Sequence, residues 1–140
     1  MSGIAGRCLC GKVTIRLTGC RREVSACHCA MCRRWSGAAT WGFEAAAADV
    51  RIEGRVKSYR SSPFAERAFC PECGTHLWIR DDGKAYEFTP GLFDDASGFL
   101  LSREVYADRA FACVRLEGSH ERVTRADYER SHLFVEGDGT

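Results

Sequence analysis

A mainly β chain cross-linked by metal is what three features of this sequence predict. Short runs alternate apolar and polar residues at the two-residue period of half-buried strands, clearest at Val13, Ile15 and Leu17. Turn signals separate such runs, and Asp82-Gly83 between two of them is the strongest short hairpin signal. The cysteines, nine in all, are gathered into clusters at Cys8-Leu9-Cys10, at Cys27-His28-Cys29 with Cys32, and at Cys70-Pro71-Glu72-Cys73.

Composition narrows the reading. A chain of 140 residues predicts one compact domain with a real core, small enough for bound metal to supply a large share of its stability. No apolar run approaches the length that spans a bilayer, so no membrane segment is expected. The first seven residues lack the apolar stretch of a secretory signal, which predicts a cytoplasmic chain with reduced thiols. An odd number of clustered cysteines favours metal over a disulfide framework. The formal charge of +1 turns slightly negative once thiolate ligands and two divalent ions are counted, and nothing in that balance favours nucleic acid.

In chain order, Lys12 to Thr18 predicts the first strand, and Gly19 to Glu23 breaks it. Val24 to Ala26 returns to extended backbone, and the cysteine loop after it closes in a short helical turn near Met31 to Trp35. Ala39, Trp41 and Phe43 alternate in a second strand, and Ala45 to Asp49 is too short for an independent helix and makes a turn. Val50 to Glu53 and Val56 to Arg60 are further strands, and Ser61-Ser62-Pro63 is a turn. Cys70 and Cys73 sit at the tip of a hairpin formed by Glu66 to Phe69 and Thr75 to Arg80, the build of a zinc knuckle. Asp82-Gly83 joins Leu77-Trp78-Ile79 to Tyr86-Glu87-Phe88. Glu104 to Tyr106 is another strand and Phe111 to Leu116 a last one. Thr124 and Asp127 form a capping box for one short helix, and Glu136 to Thr140 is expected to be loose.

The clusters divide into two kinds of site. Cys8, Cys10, Cys70 and Cys73 supply four ligands, the complement of a closed structural zinc, which would pin the first strand to the middle hairpin across a long loop. Cys27, Cys29 and Cys32 supply three, leaving a fourth position for water or substrate unless Cys20, His28 or His76 closes it. If Cys27 and Cys29 point inward on extended backbone, His28 points away, as a surface or packing residue. Arg33 and Arg34 follow at once; they would offset the negative charge of a three-thiolate zinc, take a substrate carboxylate bidentately, or stand as solvated surface arginines. Cys113 reads as a small core residue, and Trp35, Trp41 and Trp78 as core, with Trp35 close enough to the open position to line a pocket. A thioredoxin-type role for Cys70 and Cys73 would need a helix N-terminus in a βαβ setting, and the sequence pattern shows neither.

Cys-x-Cys-Gly at Cys8, Cys-His-Cys-x-x-Cys-Arg-Arg at Cys27, Ser36-Gly37, Phe-Cys-Pro-x-Cys-Gly at Phe69 and Gly-x-x-Asp at Gly91 to Asp94 occur in that order. The set resembles the glutathione-dependent formaldehyde-activating enzyme family, the CENP-V/GFA domain family. The resemblance implies an Mss4-like fold of small antiparallel sheets joined by zinc, in residues 1–118. Residues 119–140 form an extension with no family counterpart. It implies a structural zinc on Cys8, Cys10, Cys70 and Cys73 and a catalytic zinc on Cys27, Cys29 and Cys32. The activity implied is of carbon–sulfur lyase type, the reversible condensation of a small thiol such as glutathione with formaldehyde to S-hydroxymethylglutathione, with Arg33 or Arg34 on the thiol's carboxylate. Three thiolates make zinc a weaker Lewis acid than three histidines would, which favours thiol exchange over water activation. A non-catalytic, zinc-stabilised protein-interaction domain is the alternative.

Overall fold

The computed structural model describes residues 3–132. In chain order it runs β1 (Ile4–Arg7), β2 (Thr14–Leu17), β3 (Glu23–Cys27), α1 (Ala30–Ser36), β4 (Thr40–Ala45), β5 (Val50–Glu53), β6 (Lys57–Ser62), β7 (Ala65–Phe69), β8 (His76–Asp81), β9 (Tyr86–Phe88), β10 (Leu100–Val105), β11 (Glu121–Val123) and α2 (Arg125–Glu129). The expectation for Glu136 to Thr140 lies outside the described residues. The chain is mainly β and divides into two compact units, one made of the chain up to Arg22 with Gly42–Phe99, the other of Glu23–Trp41 with the chain from Leu100 onward.

The first unit is antiparallel. Strands β1, β2 and β5 form one sheet, and β4, β9, β8, β7 and β6 follow one another in a second. Val13, Ile15 and Leu17 are fully buried, as their alternation predicts, and the Asp82-Gly83 turn joins β8 to β9 with Trp78 opposite Phe88. Strand β1 was not visible as a periodic run because Gly6 and Ala5 carry little apolar signal. Gly6 is nevertheless required, since a Cβ there would lie 2.6 Å from the Phe93 ring. Phe43 is the centre of the core, with the Phe93 and Phe99 rings edge-on at 5.2 and 5.3 Å.

Trp41 departs from its expected place in the core. It is 37% exposed, because β4 buries the adjacent residues Gly42 and Phe43 and so breaks the alternation that would have turned Trp41 inward. Trp78 is buried as expected, its Nε1–H donating to Glu66 at 3.1 Å. Ala47–Asp49 closes the alanine run as a single 3-10 turn.

The second unit is built differently. Its three strands are parallel, with β10 between β3 and β11, where antiparallel sheets were expected. Along β3 the alternation continues past the strand end, so Val24, Ala26 and His28 are buried on one face while Ser25 and Cys27 lie on the other. Ser102 bulges out of β10 between Leu101 and Arg103, its hydroxyl donating to the Val24 carbonyl. That extra residue decides which way Glu104 faces. Were Ser102 paired in regular register, Glu104 would stand beside Cys27; with Ser102 bulged out, Glu104 stands beside Ala26, on the face of His28.

Phe111 to Leu116 does not form the expected strand. It makes a turn closed by the Val114 amide on the Phe111 carbonyl, because the open edge of β10 is taken by β11 instead. Cys113 lies in that turn and is exposed, not a core residue. Thr124 caps α2 as predicted, its hydroxyl accepting from the Asp127 amide at 3.2 Å.

Candidate metal centres

The four-thiol group is assembled from two matching knuckles. In the first, the Cys8 amide donates to Val13 and Gly11 donates back to Cys8; in the second, the Cys70 amide donates to Thr75 and Gly74 donates back to Cys70. Gly11 and Gly74 take left-handed backbone, with φ of 81° and 77°, a conformation that favours glycine. Each turn therefore curls two sulfurs to one side. The Cys8–Cys10 and Cys10–Cys70 sulfur separations are 3.6 and 3.8 Å. A tetrahedron with zinc–sulfur bonds of about 2.3 Å has edges of about 3.8 Å, so the donor set fits such an ion.

Donors around these sulfurs favour thiolates. The Thr75 hydroxyl, 3.2 Å from Cys73, and the amides of Thr75 and Cys10 lower the Cys73 thiol to about 5. At Cys8 burial opposes ionisation, but the Val13 amide and the neighbouring thiols Cys10 and Cys70 outweigh it and the pKa is lowered. Cys10 takes the opposite share. The Lys12 amide lowers it, yet burial and the three neighbouring cysteines push it up to about 11.

The three-thiol group lies where β3 meets α1. Cys27 ends the strand, Cys29 caps the helix by accepting from the Cys32 amide at 3.3 Å, and Cys32 is carried on the first turn. The three sulfurs lie within 4.8 Å of one another, so this group too can hold a metal ion. Among the described residues it gathers three thiols and no fourth ligand, whereas the other group gathers four. Cys29 and Cys32 are buried against Val105 and Tyr106, with Met31, Val123 and Tyr128 packed around them. Hydrogen bonding to Cys29 and Cys32, then burial, push the Cys27 thiol well up. At Cys29 the bond from Cys27 lowers the pKa, but bonding to Cys32 and burial prevail and raise it to about 12. No disulfide joins any of the nine cysteines, all of which lie among the described residues.

The residues flanking the group have distinct surroundings. Arg33 donates from Nη1 to the Arg109 carbonyl at 3.0 Å and lays its guanidinium over the Phe111 ring at 4.8 Å, while Arg34 is exposed. Ser36 ties off the helix, its hydroxyl lying 2.8 Å from both the Cys32 and the Ala39 carbonyl, either of which can accept its proton. His28 points away from the thiols as its alternation predicts, into a fully buried packing position, the second of the two places expected for it. Its Nε2 is 2.7 Å from a carboxylate oxygen of Glu104. Sequence reasoning reads Glu104 and Tyr106 only as strand residues and passes over His120, since no spacing rule connects His28 to a carboxylate 76 residues later.

A mainly β chain with one group of four thiols and one of three, each able to surround a soft divalent ion, has the donor sets expected of a thiolate metal protein. The chain belongs to the glutathione-dependent formaldehyde-activating enzyme family, whose model matches residues 3–109. It is 36% identical over 106 residues to an uncharacterised lyase of Schizosaccharomyces pombe, a match covering 74% of this chain and 77% of that protein. A solved Rhodobacter sphaeroides protein, 21% identical, shares the fold with a TM-score of 0.56 over 71% of this chain and 100% of its own.

Proposed function

We propose that this chain is a zinc-dependent carbon–sulfur lyase-type enzyme acting on the adduct of a glutathione-like thiol and a small aldehyde. Cys8, Cys10, Cys70 and Cys73 hold a structural zinc in this reading, and Cys27, Cys29 and Cys32 a catalytic one. The observation that carries it is the contrast in ligand number: three thiols gathered at the start of α1 against four in the other group. Family membership and the lyase name of the yeast relative support the same class of chemistry.

Zinc with three protein ligands supplies an open position that stabilises a thiolate at neutral pH. The residues of the chain do the rest. Cys29, which caps α1 by accepting from the Cys32 amide, would hold the ion at the start of that helix. Arg33 is committed to the Arg109 carbonyl and the Phe111 ring, so it orders the loop, and exposed Arg34 is the guanidinium free to take the thiol's carboxylate bidentately. In the cleavage direction the carbon–sulfur bond of the hydroxymethyl adduct breaks, its oxygen becomes the aldehyde carbonyl, and the hydroxyl proton returns to the thiol. Nine free cysteines fit a reducing compartment such as the cytoplasm. No helix of the described residues is long and apolar enough to cross a membrane.

Native mass spectrometry with and without glutathione tests the reading. Two zinc ions per chain and a glutathione adduct that vanishes in Cys29→Ser are expected. One zinc and no adduct after zinc is resupplied would overturn the enzyme and favour a zinc-stabilised interaction domain.

A further inference from the structure

The second unit buries a carboxylate that the proposed chemistry does not use. Glu104 is only 5% exposed and sits on the central strand of the parallel sheet. Its Oε1 accepts from Nε2 of His28, which is fully buried. Its Oε2 accepts from Nε2 of His120, whose side chain is 2% exposed, and lies 3.4 Å from Nε of Arg122. The three strands are thus joined through one side chain: His28 follows β3, Glu104 belongs to β10, and His120 and Arg122 lie at the start of β11.

A buried carboxylate costs several kcal/mol in desolvation unless its lone pairs are met, and here each oxygen is met. The arrangement is directional. The opposite face of the same strands carries Cys27, Val105 and Val123, which sit side by side in register and back Cys29 and Cys32. A slip of one residue between β3 and β10 would exchange the faces, sending Cys27 to the side of Glu104. Tyr106, held in left-handed backbone at φ 55°, then turns the chain out of β10 beneath the thiols, and its hydroxyl donates to Glu129 of α2 at 2.9 Å.

We propose that Glu104 is the positioning residue of the three-thiol centre: by holding His28 on one oxygen and His120 and Arg122 on the other, it locks the register of three parallel strands and thereby aims Cys27 and Cys29. His120, Arg122, Val123 and Tyr128 lie beyond the stretch that the family model matches, so this chain enlists its C-terminal segment to support the centre. The proposal rests on the reading that Cys27, Cys29 and Cys32 hold a metal.

The test is zinc release from the full-length, two-zinc protein into excess chelator, followed with a colorimetric zinc indicator. Cys29→Ser identifies which of the two phases belongs to the three-thiol group. Residues that orient ligands from behind commonly change metal affinity by about tenfold to a hundredfold, so His120→Ala is expected to speed that phase by about tenfold and leave the other unchanged. His120→Gln, whose amide still donates to Glu104, should recover most of the loss, which mere loss of packing would not predict. Arg122→Leu, at a half-exposed side chain, offers a milder variant should His120→Ala fail to fold, and should speed the same phase by less. An unchanged release phase in these variants, or equal acceleration of both phases, would overturn the role of Glu104 while leaving the metal reading intact. A wild-type chain that takes up only one zinc would overturn the metal reading and the proposal together.

Discussion

The two thiol groups are made of the same atoms and differ in what surrounds them. Around Cys8 and Cys73 the chain aims donors at sulfur, from the Val13 and Thr75 amides and the Thr75 hydroxyl, and both pKa values fall. Around Cys27 and Cys29 the thiols chiefly meet one another in a buried setting, and both values rise, Cys29 to about 12. The difference teaches that ligand spacing alone does not describe a metal site. One group is set in two knuckles, the other packs against the sheet behind it.

The largest effect that would break this comparison is in stability. Cys10 and Cys70 are 60 residues apart, and a cross-link closing a loop of that length is worth about 4 kcal/mol by loop-closure entropy. Cys70→Ser is therefore expected to lower the stability of the zinc-loaded chain in urea by about 4 kcal/mol or more, and Cys29→Ser, whose partners are near neighbours in sequence, by less than about half of that. Equal losses would erase the distinction between a structural and an open site.

Next comes Gly6→Ala. Its new methyl would meet Phe93 and the Leu92 carbonyl at under 3 Å, an overpacking worth about 1–3 kcal/mol in the same urea experiment. The comparison sharpens if zinc loss from the three-thiol group stays at the wild-type rate in this variant.

Acidification separates the groups by protons. Below its raised pKa a thiol keeps its proton, so metal entering between Cys27 and Cys29 at neutral pH must displace two protons, whereas in the four-thiol group Cys10, at about 11, keeps its proton but Cys73, lowered to about 5, has already lost its own. Each proton displaced weakens apparent affinity by about tenfold per pH unit of acidification. Zinc titrations between pH 8 and pH 6 should show the three-thiol group releasing metal first and more steeply. Parallel titration of both groups would count against the contrast in donors.

The smallest effect is at the surface. Lys12 and Glu72 bridge the two knuckles at 3.4 Å, but both side chains are exposed, so Lys12→Ala should cost less than about 0.5 kcal/mol. A larger loss would mean that the knuckles need more than their turns to meet.

Much of this was legible before folding was considered. The alternation at Val13, Ile15 and Leu17, the Asp82-Gly83 turn, the knuckle at Cys70 and Cys73 and the cap at Thr124 are short-range signals, and each stands where expected. Trp41 and Cys113 were misplaced because local pattern does not reveal which strand breaks its alternation or which segment loses the competition for a sheet edge.

The sequence by itself determined the local thiol clusters, because cysteines one to three residues apart are confined by chain geometry to neighbouring points in space. That two of these clusters, 60 residues apart, meet as one group of four thiols while the third stays a group of three was decided by the tertiary structure. Only the tertiary structure decided that His28 is buried and that Glu104 and His120 stand behind the thiols. The parallel register with its bulge at Ser102 was likewise beyond local reading. The physical reason is that these outcomes depend on which distant strand comes to lie beside β3, and an extra residue on that strand reverses the face on which every later side chain falls.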